Sequence, residues 1–189
     1  MKKSLGAKTL AFPTPVWCVG SYDKQGRPNI MTIAWGGICC SKPPAATVSL
    51  RKATYTYHNI MDKGAFTINI PPSQYVKEVD YFGMVSGKSQ EKFKAAGLTA
   101  VRAEQVDAPY VKEFPMVLEC RLIHTHEIGL HTQFIGEILD VKIDTAALDT
   151  HGMPDMRKVA PFIFAPEVQA YYAIGEMLGK AFETGKHLG

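Results

Sequence analysis

Two cations and two threonine hydroxyls lie close together in the segment VSLRKATYT (48–56), where a buried strand is expected to end. Arg51 and Lys52 are followed by Thr54 and Thr56. A strand end followed by the first turn of a helix can direct guanidinium donors, hydroxyls and free backbone N–H groups to one point, which suits a phosphate. The alternative is that both cations are solvated and Thr54 is only a helix N-cap. The segment alone leaves the choice open.

The sequence lacks the glycine-rich segments by which the commonest nucleotide-binding folds hold a phosphate. It contains no Walker-type loop, and the segment WGG (35–37) lacks the spacing of a dinucleotide fingerprint. We therefore do not expect a P-loop enzyme or a Rossmann dehydrogenase. A mononucleotide phosphate that binds outside those folds remains an open alternative.

The four cysteines, Cys18, Cys39, Cys40 and Cys120, form neither a C-x-x-C pair nor a disulfide framework. Each lies in an apolar stretch, which suits reduced thiols in the cytoplasm. The adjacent Cys39 and Cys40 could form a redox pair. We instead expect two small buried residues, because neighbouring side chains of an extended segment point to opposite faces.

Three histidines, His124, His126 and His131, lie in one segment, and an H-x-H pattern places two imidazoles on the same face of a strand. This pattern makes a metal site only where further ligands complete it. No cysteine or carboxylate stands at a suitable spacing, so we predict no metal site.

The chain of 189 residues is long enough to fold as one domain, residues 1–189, without a disulfide or a structural metal. Its composition of 46% hydrophobic and 21% charged residues is typical of a soluble protein, and no apolar run could cross a bilayer. The basic N-terminus lacks the apolar segment of a signal peptide, so we expect a cytoplasmic protein that does not bind membranes. The net charge of +3 comes from scattered residues, which argues against nucleic-acid binding.

Most of the chain is predicted to form strands. Residues 15–38 predict a hairpin, and a further strand ends in the phosphate segment. The alternation from 116 to 144 predicts a long hairpin that turns at Gly129, with Leu118 on the buried face and Glu119 on the exposed face.

Helices are expected in three places. Residues 53–64 predict a short helix that Thr54 or Thr56 caps and Gly64 ends. Residues 73–97 change to a helical period, and the tail has helical spacing through Ile174, Met177, Leu178 and Phe182. Many strands, few helices and no βαβ alternation predict a mainly β fold, an antiparallel Greek-key-like sheet closed into a barrel with added helices.

Four segments resemble, in the same order, motifs of the flavin reductase-like proteins with an FMN-binding split barrel. GRPNIMTIAWGGICCSKPPAATVSLRKATYTYHNIMDKGAFTINIP (26–71) supplies the residue types that mark the family's N-terminal half: Asn29, Pro43, Pro44, Arg51, Thr54, Thr56 and Asn69. SGKSQEKF (86–93) resembles the family's SG...DKF, and GLHTQFIGEI (129–138) resembles GDHTLFIGEV. The tail YYAIGEMLGKAF (171–182) resembles the flavoredoxin branch, so the resemblance spans almost the whole chain.

This resemblance implies a split β-barrel that binds FMN non-covalently at the interface of a homodimer, with redox chemistry at the isoalloxazine ring. The ring would lie beside Met31, Thr32, Ile33 and Ala34, while the ring or the ribityl chain would contact Ser49 and Leu50. The phosphate would be held by Arg51, Thr54 and Thr56. Three further residues, Ser86, Gly87 and Lys92, would lie near the phosphate or near the ribityl chain. Asn29 is also expected to bind the cofactor.

Two further side chains are candidates for the ring. His131, at the start of its strand, could be a proton partner of the flavin or of an incoming nicotinamide. A histidine hydrogen-bonded within the barrel is the alternative, because Leu130 stands where the family pattern has Asp and thus removes a neighbouring carboxylate. Among the aromatic residues we expect Trp35 to stack on the flavin, since it follows the ring-contacting strand.

Three functions are compatible with these features. The leading one is an FMN-binding oxidoreductase or electron-transfer protein of the flavoredoxin type, with NAD(P)H or a protein as electron donor and an unidentified redox partner. The second is an NAD(P)H:flavin oxidoreductase that supplies reduced flavin to a partner enzyme. The third is a non-catalytic flavin- or phosphate-binding module.

Overall fold

The structure is a computed structural model that describes residues 1–186 and 188. This part of the chain forms twelve strands: β1 (Thr14–Pro15), β2 (Trp17–Tyr22), β3 (Pro28–Ile33), β4 (Gly36–Ser41), β5 (Pro44–Arg51), β6 (Ala65–Ile70), β7 (Ala100–Arg102), β8 (Pro109–Val111), β9 (Met116–Ile128), β10 (His131–Ile143), β11 (Phe162–Ala165) and β12 (Ala170–Ala173). The same residues form four α-helices: α1 (Tyr55–Lys63), α2 (Val76–Met84), α3 (Lys92–Ala96) and α4 (Met156–Val159). Two short 3₁₀ turns, Ser73–Tyr75 and Thr145–Ala147, precede α2 and follow β10.

Seven strands form one antiparallel sheet in the order β3-β2-β6-β9-β10-β5-β4. The sheet curves around one hydrophobic core that includes Ile33 of β3 and Leu50 of β5. A flat sheet could not bring these two side chains into one cluster, because four strands separate β3 from β5 in the strand order. The predicted antiparallel barrel is therefore confirmed. None of the helices in the described part of the chain is both long and apolar enough to span a membrane.

The hairpin of β9 and β10 turns at Gly129, as predicted, with a positive φ of 51° that favours glycine. Glu119 departs from the predicted alternation, because it is fully buried. Its carboxylate accepts the backbone N–H groups of Glu104 and Gln105 at 3.3 and 2.6 Å, and the Lys142 ammonium lies 3.7 Å away. The loop after β7 covers this face of the sheet, and a local pattern cannot reveal such a long-range contact.

Helix α1 begins and ends where the sequence predicts. Thr54 is the N-cap, and its hydroxyl oxygen accepts the backbone N–H of Tyr57 at 3.3 Å. Gly64 adopts the left-handed conformation after the last turn and donates its N–H to the carbonyl of Ile60. Thr56, the other predicted cap, lies inside the helix.

A second hydrophobic core lies between the barrel and the helices that form in the predicted region 73–97. Val79 and Phe82 of α2 and Phe93 of α3 pack with Cys18 of β2 and Ile30 of β3. The neighbouring residues of these strands, such as Val19, belong to the barrel core instead. β2 and β3 are thus buried on both faces, which explains their nearly continuous apolar sequences.

The predicted hairpin at 15–38 is only partly correct. β2 and β3 pair as expected, but the chain leaves the sheet at Ala34 and Trp35, and β4 then pairs with β5. β4 is an edge strand, and its Cys39 and Cys40 are exposed. The expectation that these two cysteines are buried is therefore wrong.

The predicted helix in the tail is also wrong. The chain forms β12 and then runs from 174 to 180 without regular structure, with Met177 and Leu178 exposed by 74% and 99%. Gly175 and Gly179 each disfavour a helix by about 1 kcal/mol relative to alanine. Apolar residues at helical spacing also need a surface to pack against, and the described residues of one chain provide none here.

Candidate functional site

A cavity of about 580 Å³ opens where β3 ends, between the barrel and the second core. Its walls come from the end of β3, the C-terminal turn of α2 and the β11–β12 hairpin, and they comprise Val16, Thr32, Ile33, Ala34, Asp80, Gly83, Met84, Phe164, Gln169 and Tyr171. Three of the four residues predicted to run beside a flavin ring are among them. Met31, the fourth, packs against the barrel core instead.

Hydrogen bonds fix two walls of this cavity. The Thr32 hydroxyl donates to the carbonyl of Val79 and so ties β3 to α2. The Tyr171 hydroxyl donates to the Asp80 carboxylate at 2.9 Å and ties β12 to the same helix. Burial, and then the hydrogen bond to Asp80, raise the pKa of the Tyr171 phenol far above its ordinary value. Tyr171 is therefore a fixed, protonated group rather than an acid at neutral pH.

Trp35 follows Ala34 of the cavity wall in the chain, and its carbonyl accepts the Ser49 N–H at 2.8 Å. Trp35 is 36% exposed, so about a third of its surface is accessible. A Cβ at Gly36 would lie 2.8 Å from the Trp17 ring and 2.9 Å from Ile33, so this path of the chain requires glycine. Leu50, in contrast, points into the barrel core and is 1% exposed.

The outer part of the predicted phosphate site consists of Arg51 and the cap of α1. Arg51 is exposed at the end of β5, and no hydrogen bond or ion pair of its guanidinium is found within residues 1–186 and 188. Lys52 is engaged, because its ammonium donates to the Glu127 carboxylate. Thr54 donates to the Arg51 carbonyl at 2.8 Å while it caps the helix. Thr54 thus performs the structural role that the sequence left open, and Arg51 is available to an anion.

The inner part brings together three predicted residues from three elements. Thr56 is 1% exposed, and its hydroxyl oxygen accepts the Asn29 amide at 2.9 Å. The other amide atom, Asn29 Oδ1, is buried without a hydrogen-bond partner among the described residues. A Cβ at Gly87 would lie 2.0 Å from that oxygen and 2.8 Å from the Tyr55 ring. The backbone at Gly87 therefore packs directly on Asn29 and Tyr55.

A second cavity, of about 370 Å³, lies on the other side of Gly87. Its lining combines the turn after β2, helix α1 and the segment before α3: Asp23, Arg27, Pro28, Tyr55, Gly87, Lys88, Ser89, Gln90, Glu91, Phe93 and Lys94. The Asp23 carboxylate accepts the Tyr55 hydroxyl at 2.7 Å and the Arg27 side chain at 2.6 Å. Burial alone would raise the pKa of Asp23, but these hydrogen bonds outweigh it and lower the pKa to about 2.

The hydrogen-bonded group of Asp23, Arg27 and Tyr55 is not among the sites predicted from the sequence. The only local signal is the opposite charge of Asp23 and Arg27, four residues apart in a turn. The side chain of Phe164 was missed as well, since nothing in its own segment places it against β3.

Ser86 and Lys92, which the resemblance places near the phosphate or the ribityl chain, differ in their exposure to solvent. Ser86 is exposed, and its hydroxyl oxygen accepts the Lys88 N–H at 3.3 Å. Lys92 is 3% exposed, and its ammonium donates to the Phe82 carbonyl at 2.7 Å. Burial lowers the pKa of Lys92 to about 8, while the nearby Cys18 acts weakly in the opposite sense. The Lys92 ammonium thus lies against helix α2 and not in solvent.

The three histidines His124, His126 and His131 are not among the lining residues of either cavity. His131 is half-buried and stands opposite Arg51 in the β5–β10 ladder. His124 and His126 are exposed on β9, with ring centroids 6.4 Å apart. The described residues contain no group of three or more His, Cys, Asp or Glu side chains arranged to hold a metal ion.

The residues present fit a flavin nucleotide in three respects. The larger cavity has the size of a small-molecule site, and more of its lining surface is apolar than polar. The buried Asn29 oxygen has no hydrogen-bond partner among the described residues, and only a glycine at position 87 allows the backbone to approach it so closely. Arg51 and the first turn of α1 provide donors for a phosphate.

Comparison with known proteins places these features in a family. The family model for the flavin reductase-like domain matches residues 9–167. The chain is 60% identical to the flavoredoxin of Desulfovibrio vulgaris (Miyazaki F), and the two structures superpose with a TM-score of 0.95 over 98% of this chain and 100% of that one. A split-barrel protein from Shewanella frigidimarina is 25% identical, with a TM-score of 0.81 over 91% of this chain and 87% of that one.

A shorter match links 54% of this chain to 60% of the ferric-chelate reductase (NAD(P)H) of Archaeoglobus fulgidus, with 26% identity over 105 residues. The family model covers most of the chain, and the barrel superposes on its neighbours over nearly its full length. The chain therefore belongs to the flavin reductase-like family and has its split-barrel fold.

Proposed function

We propose that this protein binds FMN non-covalently and passes electrons through it, as an oxidoreductase of the flavoredoxin type. The observation that carries the proposal is the cavity of about 580 Å³ at the end of β3, because its border contains Thr32, Ile33 and Ala34, which the family resemblance assigns to the flavin ring. The 60% identity to a flavoredoxin over nearly the whole chain supports the type of protein.

The ring end of the site is the larger cavity. Phe164 and Tyr171 offer aromatic surface to a planar ligand, and the backbone at the end of β3 offers polar groups to its edge. Tyr171 and Asp80 hold the β11–β12 hairpin against α2, so the walls are fixed before a ligand enters. A pre-formed site of this kind lowers the ordering cost of binding.

The phosphate end is the first turn of α1 with its neighbours. Arg51 supplies a charge that no described residue neutralises, and Thr56 and Asn29 lie just inside. Gly87 and the basic residues of the smaller cavity border the same region. Charge-assisted hydrogen bonds from such donors hold a phosphate more strongly than neutral ones do.

When bound, FMN supplies the electron and hydride chemistry, which no side chain of this site could perform. The chain itself binds the nucleotide, orients its ring and limits access of water from the barrel side. A protonated Tyr171 acts as a structural donor in this scheme, and His131 lies nearer to the phosphate end than the sequence suggests.

The first experiment is the visible spectrum of the freshly purified protein, followed by anaerobic addition of NADH, NADPH and finally dithionite. A flavin band that bleaches only with dithionite supports an electron carrier that receives electrons from a protein donor. Protein that neither carries FMN nor binds it at micromolar concentration would refute the proposal. A band that responds slowly to every donor would favour the non-catalytic module instead.

The second candidate is an NAD(P)H:flavin oxidoreductase, and the match to the ferric-chelate reductase (NAD(P)H) of Archaeoglobus fulgidus favours it. It predicts prompt bleaching by NADH or NADPH and steady-state turnover with free flavin as the substrate. Flavin that stays bound through many turnovers would count against it.

A homodimer is the assembly we infer for this site. The tail beyond β12 presents a run of exposed apolar side chains: Ile174, Met177, Leu178 and Phe182. Such a contiguous apolar segment marks an interaction surface, and a second copy would cover it. Sedimentation equilibrium should therefore give twice the chain mass, and removal of residues 174–189 should shift the protein towards the monomer.

A further inference from the structure

Cys39 and Cys40 lie at an irregularity in the edge strand β4. Ile38 pairs with Ala46 of β5, but the next paired residue is Cys40, which stands opposite Ala45. The strand therefore contains one extra residue, Cys39, at this point. In a regular ladder Cys39 itself would pair with Ala45 and Cys40 would face the opposite side.

This bulge changes the directions of the two thiols. Two residues of the bulged strand, Cys39 and Cys40, now oppose the single residue Ala45 of the partner strand, so the two thiols no longer follow strict alternation. Both residues are exposed, and no strand in the described residues pairs with the outer edge of β4.

The other two cysteines differ from this pair in their burial and in their accessibility to reagents. Cys18 and Cys120 are fully buried, and burial raises the pKa of each thiol to about 12. They belong to the two hydrophobic cores and are inaccessible to a reagent in the folded chain. Only the pair on β4 combines two thiols with access to solvent among the described residues.

The distance between the two Cα atoms limits which bonds the two thiols can form. Consecutive Cα atoms lie about 3.8 Å apart, whereas the Cα atoms of a disulfide are usually about 4.4–6.8 Å apart. A direct disulfide between Cys39 and Cys40 is therefore strained and easily reduced. A large thiophilic atom that bridges the two sulfurs relieves this strain, because the ring it closes contains one more member.

We propose that Cys39 and Cys40 form a bidentate site for a trivalent, thiophilic metalloid, of which an organic arsenical R–As=O is the simplest ligand. Both thiols attack arsenic, two As–S bonds form, and the As=O oxygen leaves as water with the two thiol protons. Arsenic stays trivalent, so the step needs no oxidant or reductant. Soft sulfur ligands select soft centres of this kind.

The test uses phenylarsine oxide with the full-length folded protein, followed by intact-mass and peptide mass spectrometry. One phenylarsenic group per chain, bound to the peptide that contains Cys39 and Cys40, supports the site. It should survive an excess of 2-mercaptoethanol and be removed by dithiothreitol, since only a dithiol competes with a chelate. Each of Cys39→Ser and Cys40→Ser should weaken binding by about 100-fold, because one-point attachment loses the effective concentration of the second thiol.

The buried Cys18 and Cys120 serve as internal controls in the same spectra. Both serine variants change exposed residues, and an unaltered melting temperature verifies their folding. Failure of the native protein to take up the arsenical, uptake only after unfolding, or equal affinity in either serine variant would overturn the proposal.

Discussion

Arg51 and His131 stand directly opposite each other where β5 ends and β10 begins. Directly opposed residues of an antiparallel pair have Cβ atoms about 4.5–5.5 Å apart and share one face of the sheet. The preceding pair, Leu50 and Thr132, is buried, so Arg51 and His131 lie on the opposite, outer face. The proposed phosphate ligand and the candidate proton partner therefore belong to one surface, and an anion bound by Arg51 is within reach of His131.

Substitution of Arg51 tests the phosphate end. Arg51→Ala should weaken FMN binding by about 1.5–3 kcal/mol, the value of a hydrogen bond to a charged group, and leave riboflavin binding unchanged. Fluorescence titration of the flavin-free protein with each ligand measures both affinities. Lys52→Ala is the matched control, since its ammonium is engaged by Glu127. Equal losses for FMN and riboflavin would contradict the assignment.

Gly87→Ala tests the close packing on Asn29. The added Cβ would lie 2.0 Å from the Asn29 oxygen, so the backbone must shift, at a cost of about 1–3 kcal/mol in the free energy of unfolding. We also expect weaker FMN binding, because the shift occurs beside Thr56. Gly37→Ala on β4 is the control, since a Cβ there meets no atom within 4 Å. Chemical unfolding and flavin titration of both variants decide the point, and equal effects would show that Gly87 has no special role.

Thr54→Ala should reduce the free energy of unfolding by about 1 kcal/mol, because helix α1 loses its N-cap. Thr54→Ser keeps the hydroxyl and should differ from the wild type by only a few tenths. Urea unfolding monitored by circular dichroism measures both. A serine variant as unstable as the alanine variant would assign the effect to the methyl group instead of the cap.

Lys92 should give the flavin-free protein a distinctive pH dependence. Burial lowers its pKa from 10.5 to about 8, so between these values the unfolded chain binds more protons than the folded chain. Stability attributable to Lys92 therefore rises as the pH increases through this window, by at most about 1.4 kcal/mol per pH unit. Lys92→Met should remove this rise, which urea unfolding at about pH 8, 9 and 10 would reveal. Parallel pH profiles of the two proteins would contradict the burial of a charge-bearing Lys92.

Local signals in the sequence predict the parts of the fold that local chemistry determines. Thr54 and Gly64 bound helix α1 because a cap and a left-handed residue act on their own neighbours. Gly129 turns the long hairpin for the same reason. The family resemblance adds Thr32, Ile33 and Ala34, which line the larger cavity. It also adds Thr56 and Gly87, each of which lies next to Asn29.

The errors have a common physical origin in contacts between distant segments. Glu119 is buried because the loop after β7 supplies its donors, and the Lys92 ammonium is buried because α2 offers a carbonyl. The bulge at Cys39 is a property of the pairing between two strands, and periodicity along one strand does not contain it. The tail fails to form a helix because its apolar stripe needs a partner surface.

The strand order has a consequence for the way a ligand would act on the barrel. β3 and β4 are the two ends of the seven-strand order, yet only Ala34 and Trp35 separate them along the chain. A link of two residues reaches only about 10 Å, so it holds the end of β3 close to the start of β4, at the seam between the two ends of the sheet. Among the described strands, no ladder joins β3 to β4 across this seam. The larger cavity includes Ala34 of this link, so a ligand bound there would contact the point where the two ends of the sheet meet and would stabilise the barrel against opening at the seam.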